Sequence, residues 1–128
     1  MRKSIIAILM TFCLSIMTYA QTPRDRATEL KEQAQSSLNQ KDYIKARYLF
    51  KKAYEAFASR ENYPQAIECG VQANALYVRE NFYKEGFELC RDMEQLLWTG
   101  EQNKKKVFYD LRFLINKERL QMYTALKN

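Results

Sequence analysis

Apolar and small residues recur along this chain every three or four positions, the spacing of one face of an α-helix. Five segments carry the pattern. The first covers residues 24–39 and ends in a polar turn of Gln40, Lys41 and Asp42, with Asp42 placed as N-cap of a second helix over 43–59. Asn62 and Tyr63 then lead into Pro64, which suits the first turn of a third helix because its missing N–H costs nothing there. That helix reaches Arg79, and Asn81 breaks it. A fourth spans 82–98 and is expected to stop at Thr99-Gly100, since glycine commonly follows a helix C-terminus. A fifth is expected to begin near Gln102 and to continue to the C-terminus. No alternating β-branched run and no Asn-Gly or Asp-Gly turn signals a strand, so the expected class is all-α.

The phasing repeats. Ala46, Phe50, Ala53 and Phe57 of the second helix step by 4, 3 and 4, and Gly86, Cys90, Met93 and Leu97 of the fourth follow forty residues later with the same steps. Tyr43 maps onto Tyr83 at that offset, and Ile67, Val71 and Ala75 map onto Val107, Leu111 and Ile115. Two helix types recurring in order point to stacked hairpins, each burying its apolar face against the next. With Ala34 as the small residue on helix A, and Tyr43, Ala46, Phe50 and Ala53 along helix B, the first unit resembles the tetratricopeptide repeat. In the second unit Tyr83 and Gly86 fit that pattern, whereas Asn74, Cys90 and Met93 depart from it. The resemblance implies an α–α superhelix of antiparallel hairpins over residues 21–128, with an incomplete third hairpin.

The first twenty residues stand apart. Arg2 and Lys3 precede an apolar run over 5–17, and Thr18-Tyr19-Ala20 puts small residues at −3 and −1 before Gln21. That order is the pattern of a secretory signal peptide, expected to be cleaved after Ala20; a membrane span would need roughly 20 apolar residues. Removing Arg2 and Lys3 from the 21 basic residues leaves 19 against 15 acidic, a net charge of +4 on a chain of 108 residues. Charge of that size, mixed along the helices, does not favour nucleic acid as partner. Cys69 and Cys90 remain in an exported compartment that permits a disulfide, but packed helix axes lie ~8–10 Å apart against about 7 Å for bridged Cα atoms. Two buried thiols are the simpler expectation.

Catalytic parts are sparse. There is no histidine, which removes the usual general base and the commonest metal ligand. Two cysteines twenty-one apart do not make a zinc site, and Gly70, Gly86 and Gly100 stand singly rather than as a phosphate loop. The run Lys104, Lys105 and Lys106 is expected to be a solvated face near the start of the fifth helix, with Glu101 offsetting its clash with the helix dipole. No enzyme activity, metal or cofactor is expected from these residues.

A binding role is what the resemblance implies. In tetratricopeptide stacks the A helices line a concave groove. Its expected lining here is Lys31, Gln35, Leu38 and Asn39, then Val71, Ala75, Val78 and Arg79, then Phe108, Leu111 and Ile115, polar at one end and apolar toward the C-terminus. Family members that clamp a peptide carboxylate use paired lysines and asparagines; Lys31 fits, but Gln35 and Ala75 stand at the asparagine positions, so that clamp is not expected. The expected partner is a protein or peptide. Signal peptide and repeats together also resemble the periplasmic N-terminal region of certain Gram-negative sensor proteins, where repeats precede a membrane helix and a histidine kinase or DNA-binding output. A free-standing periplasmic adaptor or assembly scaffold is the alternative, and whether coding continues past Asn128 separates the two.

Overall fold

The computed structural model describes residues 25–127, so the signal segment 1–20 lies outside the described residues. Five helices follow one another: α1 (Arg26–Asn39), α2 (Tyr43–Ser59), α3 (Tyr63–Arg79), α4 (Tyr83–Lys104) and α5 (Tyr109–Lys127). There is no strand among the described residues. Consecutive helices pack as antiparallel hairpins, and α5 also packs on α3, so the chain is an all-α stack rather than a closed bundle of four.

The first three turns are copies of one another. Each is three residues long, and its last N–H donates to the carbonyl five residues back: Asp42 to Ser37 (2.9 Å), Asn62 to Phe57 (3.0 Å) and Phe82 to Tyr77 (2.9 Å). This is the Schellman closure, which satisfies carbonyls that the helix end would otherwise leave open. Its penultimate residue must be left-handed, and Lys41, Glu61 and Asn81 sit at φ 62°, 57° and 65°. The following helix is capped at once, Asp42 accepting from the Lys45 N–H and Asn62 from the Gln65 N–H. Phe82 occupies the same place before α4 and caps nothing. Stop and start signals therefore overlap within three residues, which holds each pair of helices antiparallel.

Side-chain size carries the stack. Ala46, Leu49, Phe50, Ala53 and Phe57 of α2 are buried, and so are Gly86, Leu89, Cys90, Met93 and Leu97, the residues forty positions on in α4. Burying one such large side chain contributes roughly 1.5–3 kcal/mol. The two helices use the pattern with opposite volumes: Phe50 answers Cys90, and Ala53 answers Met93. Gly70 makes that swap possible, because a Cβ there would lie 2.6 Å from Met93 Sδ and 3.2 Å from the Tyr54 ring.

The fourth link departs from the expected one. Gly100 does not end α4; the helix runs on to Lys104, and left-handed Lys105 (φ 51°) closes it. Gly100 is instead an interior contact point, where the Tyr63 ring lies where a Cβ would be. Because α4 has 22 residues against 17 in its counterpart α2, and its link is longer, α5 starts forty-six residues after α3 instead of forty. Val107 accordingly falls in the link at 44 % exposure and does not repeat the buried Ile67. The lysine run lies at the C-terminal end of α4, where Lys104 complements the helix dipole instead of opposing it.

Candidate functional site

A cleft of about 530 Å³ opens along α1 at the end where the α2–α3 turn meets it, lined by Asp25, Thr28, Lys31, Glu32, Gln35, Phe57, Asn62 and Gln65. Lys31 is half-buried between the two A helices, donating to Gln65 Oε1 (2.7 Å) and Glu68 Oε1 (3.1 Å). Asp25, which caps α1, also pairs with Arg60 and ties the helix start to the α2–α3 turn. Gln35 lies exposed one turn on and donates to Asn39 (3.2 Å). The ion pairs Lys31–Glu68 and Asp25–Arg60 brace the cleft, whose lining combines the charged Asp25, Lys31 and Glu32 with the amides of Gln35, Asn62 and Gln65. Amides offer both donors and acceptors, the chemistry a peptide backbone needs.

Farther along, the expected groove residues separate. Ala75 and Arg79 are exposed, with the Arg79 guanidinium 3.9 Å from the centre of the Tyr43 ring, and Val71, Leu38 and Val78 pack partly buried against the core. In the last segment the expectation fails at Ile115, which is 1 % exposed and belongs to the core. Phe108 stacks on Tyr63 with ring centres 5.7 Å apart, and Leu111 is a half-buried core neighbour. On α5 the buried face is Ile115, Glu118 and Met122, so Ile115 points into the core rather than into a groove.

Ion pairs fix α5 to α4. Glu101, nearly buried, accepts from the Phe108 N–H (2.9 Å) and pairs with Arg112. Arg119 pairs with Glu94 at 2.6 Å. The arginines hold both carboxyls below the usual carboxylate range, each mainly through the hydrogen bond it donates. Glu118 behaves oppositely. It is 7 % exposed among α3, α4 and α5, and burial pushes its carboxyl up. Its one hydrogen bond comes from Asn74 Nδ2 (3.3 Å), while Asn74 Oδ1 is buried with no partner. Gly86 leaves the room for that amide, because a Cβ there would lie 3.1 Å from Oδ1 and 2.7 Å from Met122 Sδ.

Cys69 and Cys90 are free, buried thiols, and burial pushes both up to about 11. Thiolate is the reactive form, so both are chemically quiet at neutral pH. Among the described residues no group of three or more His, Cys, Asp or Glu is placed to hold a metal ion, and no helix is long and apolar enough to cross a membrane.

On the outer side of α2 and α3, Tyr48 and Tyr77 fall off the buried stripes in the sequence, but that pattern places no site there. Arg47 lies between two rings, 4.9 Å from the centre of Tyr77 and 5.1 Å from that of Phe82, and pairs with Glu80 at 2.9 Å. A second cleft of about 330 Å³ runs beside it, with Ile44 and Tyr48 exposed at 65 % and 61 %. The available signal was an isoleucine and a tyrosine on the polar side of an otherwise regular amphipathic helix.

Compared with protein-family models, curated proteins and solved structures, the chain matches none.

Proposed function

We propose that the chain is a protein- or peptide-binding module of the tetratricopeptide kind, exported to the envelope of a Gram-negative bacterium, where it forms the periplasmic sensing part of a signal-transduction protein. The observation that carries the reading is the amide-lined cleft of about 530 Å³ beside α1. Stacked hairpins give an open array whose A helices share one side, and such arrays serve as extended binding surfaces. The partly apolar cleft with Gln35, Asn62 and Gln65 around it suits an extended peptide whose backbone exchanges hydrogen bonds with those amides. Sensing would follow from a partner bridging α1 and α3, which Lys31 already joins through Gln65 and Glu68.

A displayed random dodecapeptide library, selected on the chain lacking residues 1–20, tests the binding part. Selected peptides are expected to lose affinity about tenfold or more for Gln35→Lys and Asn62→Lys, which place bulk and charge in the cleft. Undiminished binding to both variants would refute the groove. Export is tested separately by expressing the full chain in a Gram-negative host. A periplasmic product beginning at Gln21 is expected, and a cytosolic product retaining Met1 would refute the envelope assignment.

A further inference from the structure

The two B helices of the stack, α2 and α4, answer the same structural demand. Except for Tyr54, whose counterpart Glu94 is half-buried, the buried residues of α2 recur as buried residues of α4 forty positions on, so the two helices face a similar packing demand. What they carry differs sharply. Ile44, Lys45, Tyr48, Lys51 and Lys52 on α2 face solvent where α4 has Lys84, Glu85, Glu88, Arg91 and Asp92, all exposed. The α2 set holds three positive charges and two large apolar side chains; the α4 set holds two positive and three negative charges and nothing apolar. Helix packing does not require an isoleucine and a tyrosine to stand 65 % and 61 % in water. Contiguous exposed apolar surface of this kind marks an interaction site.

We infer that the outer face of α2 is a second binding site, separate from the groove, for an acidic peptide segment that inserts an apolar side chain. The shape supports a peptide over a flat surface. Ile44, Tyr48 and Tyr77 enclose a recess of about 330 Å³ between α2 and α3, near the lower size of small-ligand pockets, ~300 Å³. Its floor is rigid, because Arg47 is clasped by Tyr77, Phe82 and Glu80. Its rim is cationic. Lys52 Nζ stands 5.6 Å from the centre of the Tyr48 ring and 3.7 Å from Glu55, and Lys45 and Lys51 make no ion pair among the described residues. An apolar side chain in the recess would thus leave carboxylates on either side within reach of Lys45 and Lys51. Phe82 adds to the case: it takes the place where the other two turns put a capping Asp42 or Asn62, giving up the cap and supplying a ring against Arg47 instead.

The test uses the chain lacking residues 1–20 and carrying Gln35→Lys, so that a failure of the groove does not enter. The probe is a fluorescein-labelled hexapeptide of four glutamates with one phenylalanine and one leucine, followed by fluorescence anisotropy. Saturable binding is expected at about 20 mM salt, weakening about tenfold near 200 mM as the charges are screened. Lys51→Glu with Lys52→Glu is expected to reduce affinity about tenfold or more, and Tyr48→Ala about fivefold, because buried aromatic contacts dominate such sites. Lys84→Glu with Arg91→Glu, the same change on α4, is expected to alter it by less than about twofold. All these side chains are exposed, and circular dichroism checks that each variant folds. Equal affinity for a hexaglutamate lacking apolar residues, an equal loss from the α4 pair, or tighter association with phosphatidylglycerol vesicles than with the peptide would each overturn the assignment.

Discussion

Replacing Gly100 by alanine tests how the α3–α4 hairpin is closed. Gly100 is buried in the last turns of α4, and a Cβ on it would lie 2.6 Å from Cζ and 2.8 Å from both Cε atoms of Tyr63. Carbon atoms in ordinary contact stand ~3.5–4.0 Å apart, so the ring must withdraw by about 1 Å. It has little room, being 3 % exposed and stacked on Phe108. Forcing a methyl into a packed site costs about 1–3 kcal/mol, while glycine to alanine inside a helix gains about 1 kcal/mol. The sum is a loss of about 1 kcal/mol, or a melting point lower by ~4–8 °C for a domain of this size. Urea unfolding followed by far-ultraviolet circular dichroism measures it. Tyr63→Leu supplies the control: with the ring gone, the same Gly100→Ala change should stabilise by about 1 kcal/mol, because only the helix propensity remains. A stabilising Gly100→Ala in the presence of Tyr63 would refute the close approach.

The repeated turns make a second forecast. Lys41 and Glu61 occupy left-handed positions that cost a side chain about 1–2 kcal/mol, so Lys41→Gly and Glu61→Gly should each stabilise by about 0.5–1 kcal/mol after the entropy of glycine is counted; Asn81→Gly should gain less, since asparagine tolerates this region and Asn81 accepts from the Tyr83 hydroxyl at 3.0 Å. Equal gains at all three turns in urea titrations would count against the account. The third concerns Glu118. Burial raises its carboxyl in the folded chain, so its favourable contribution is complete below the unfolded value of about 4.3 and is lost as pH rises through the higher folded value. Glu118→Gln should therefore stabilise by about 1 kcal/mol at pH 7 and leave stability near pH 3 unchanged, its amide keeping the bond from Asn74 Nδ2 and bringing a donor for the unpartnered Asn74 Oδ1. The difference between variant and parent isolates this group from Glu94 and Glu101, whose lowered carboxyls act in the opposite sense, stabilising above the usual carboxylate range and losing that effect on acidification. A gain of equal size at both pH values would refute the titration argument.

How far the sequence reaches depends on whether a signal is local. The α2 and α4 stripes were legible because burial on one helix face leaves a period, and Ala46 and Gly86, Phe50 and Cys90, and Phe57 and Leu97 are buried in pairs. Two turns were legible from local signals too, since Asp42 caps α2 and Pro64 stands in the first turn of α3. Gly100 misled because glycine serves two ends. As punctuation it stops a helix, and as a missing side chain it admits a neighbour, and only the position of Tyr63, thirty-seven residues away, decides between them. The later expectations moved with it: α4 has 22 residues where α2 has 17, and Ile115, expected in a groove, lies in the core. Glu118 left a clue that was not used: Leu111, Ile115, Glu118 and Met122 step by 4, 3 and 4, so the acid sits within an apolar stripe.

The same contrast separates the two candidate surfaces. The groove beside α1 could be anticipated in part, through Lys31 and Gln35, because a repeat that stacks must leave the far side of its A helices open. The α2 recess could not be anticipated from stacking, since stacking treats α2 and α4 alike. It is visible only by setting one repeat against the other and asking what remains unlike once the shared burial is removed. Ile44 against Lys84 and Tyr48 against Glu88 are the exposed apolar differences on the α2 side, and Trp98, 54 % exposed against half-buried Ala58, is one on the α4 side. Differences between repeats at buried positions, such as Ala53 against Met93, are balanced by a neighbour, here Gly70. At the outer face of α2 no neighbour covers the exposed apolar side chains, and for that reason a partner, rather than the fold, is what those two residues call for.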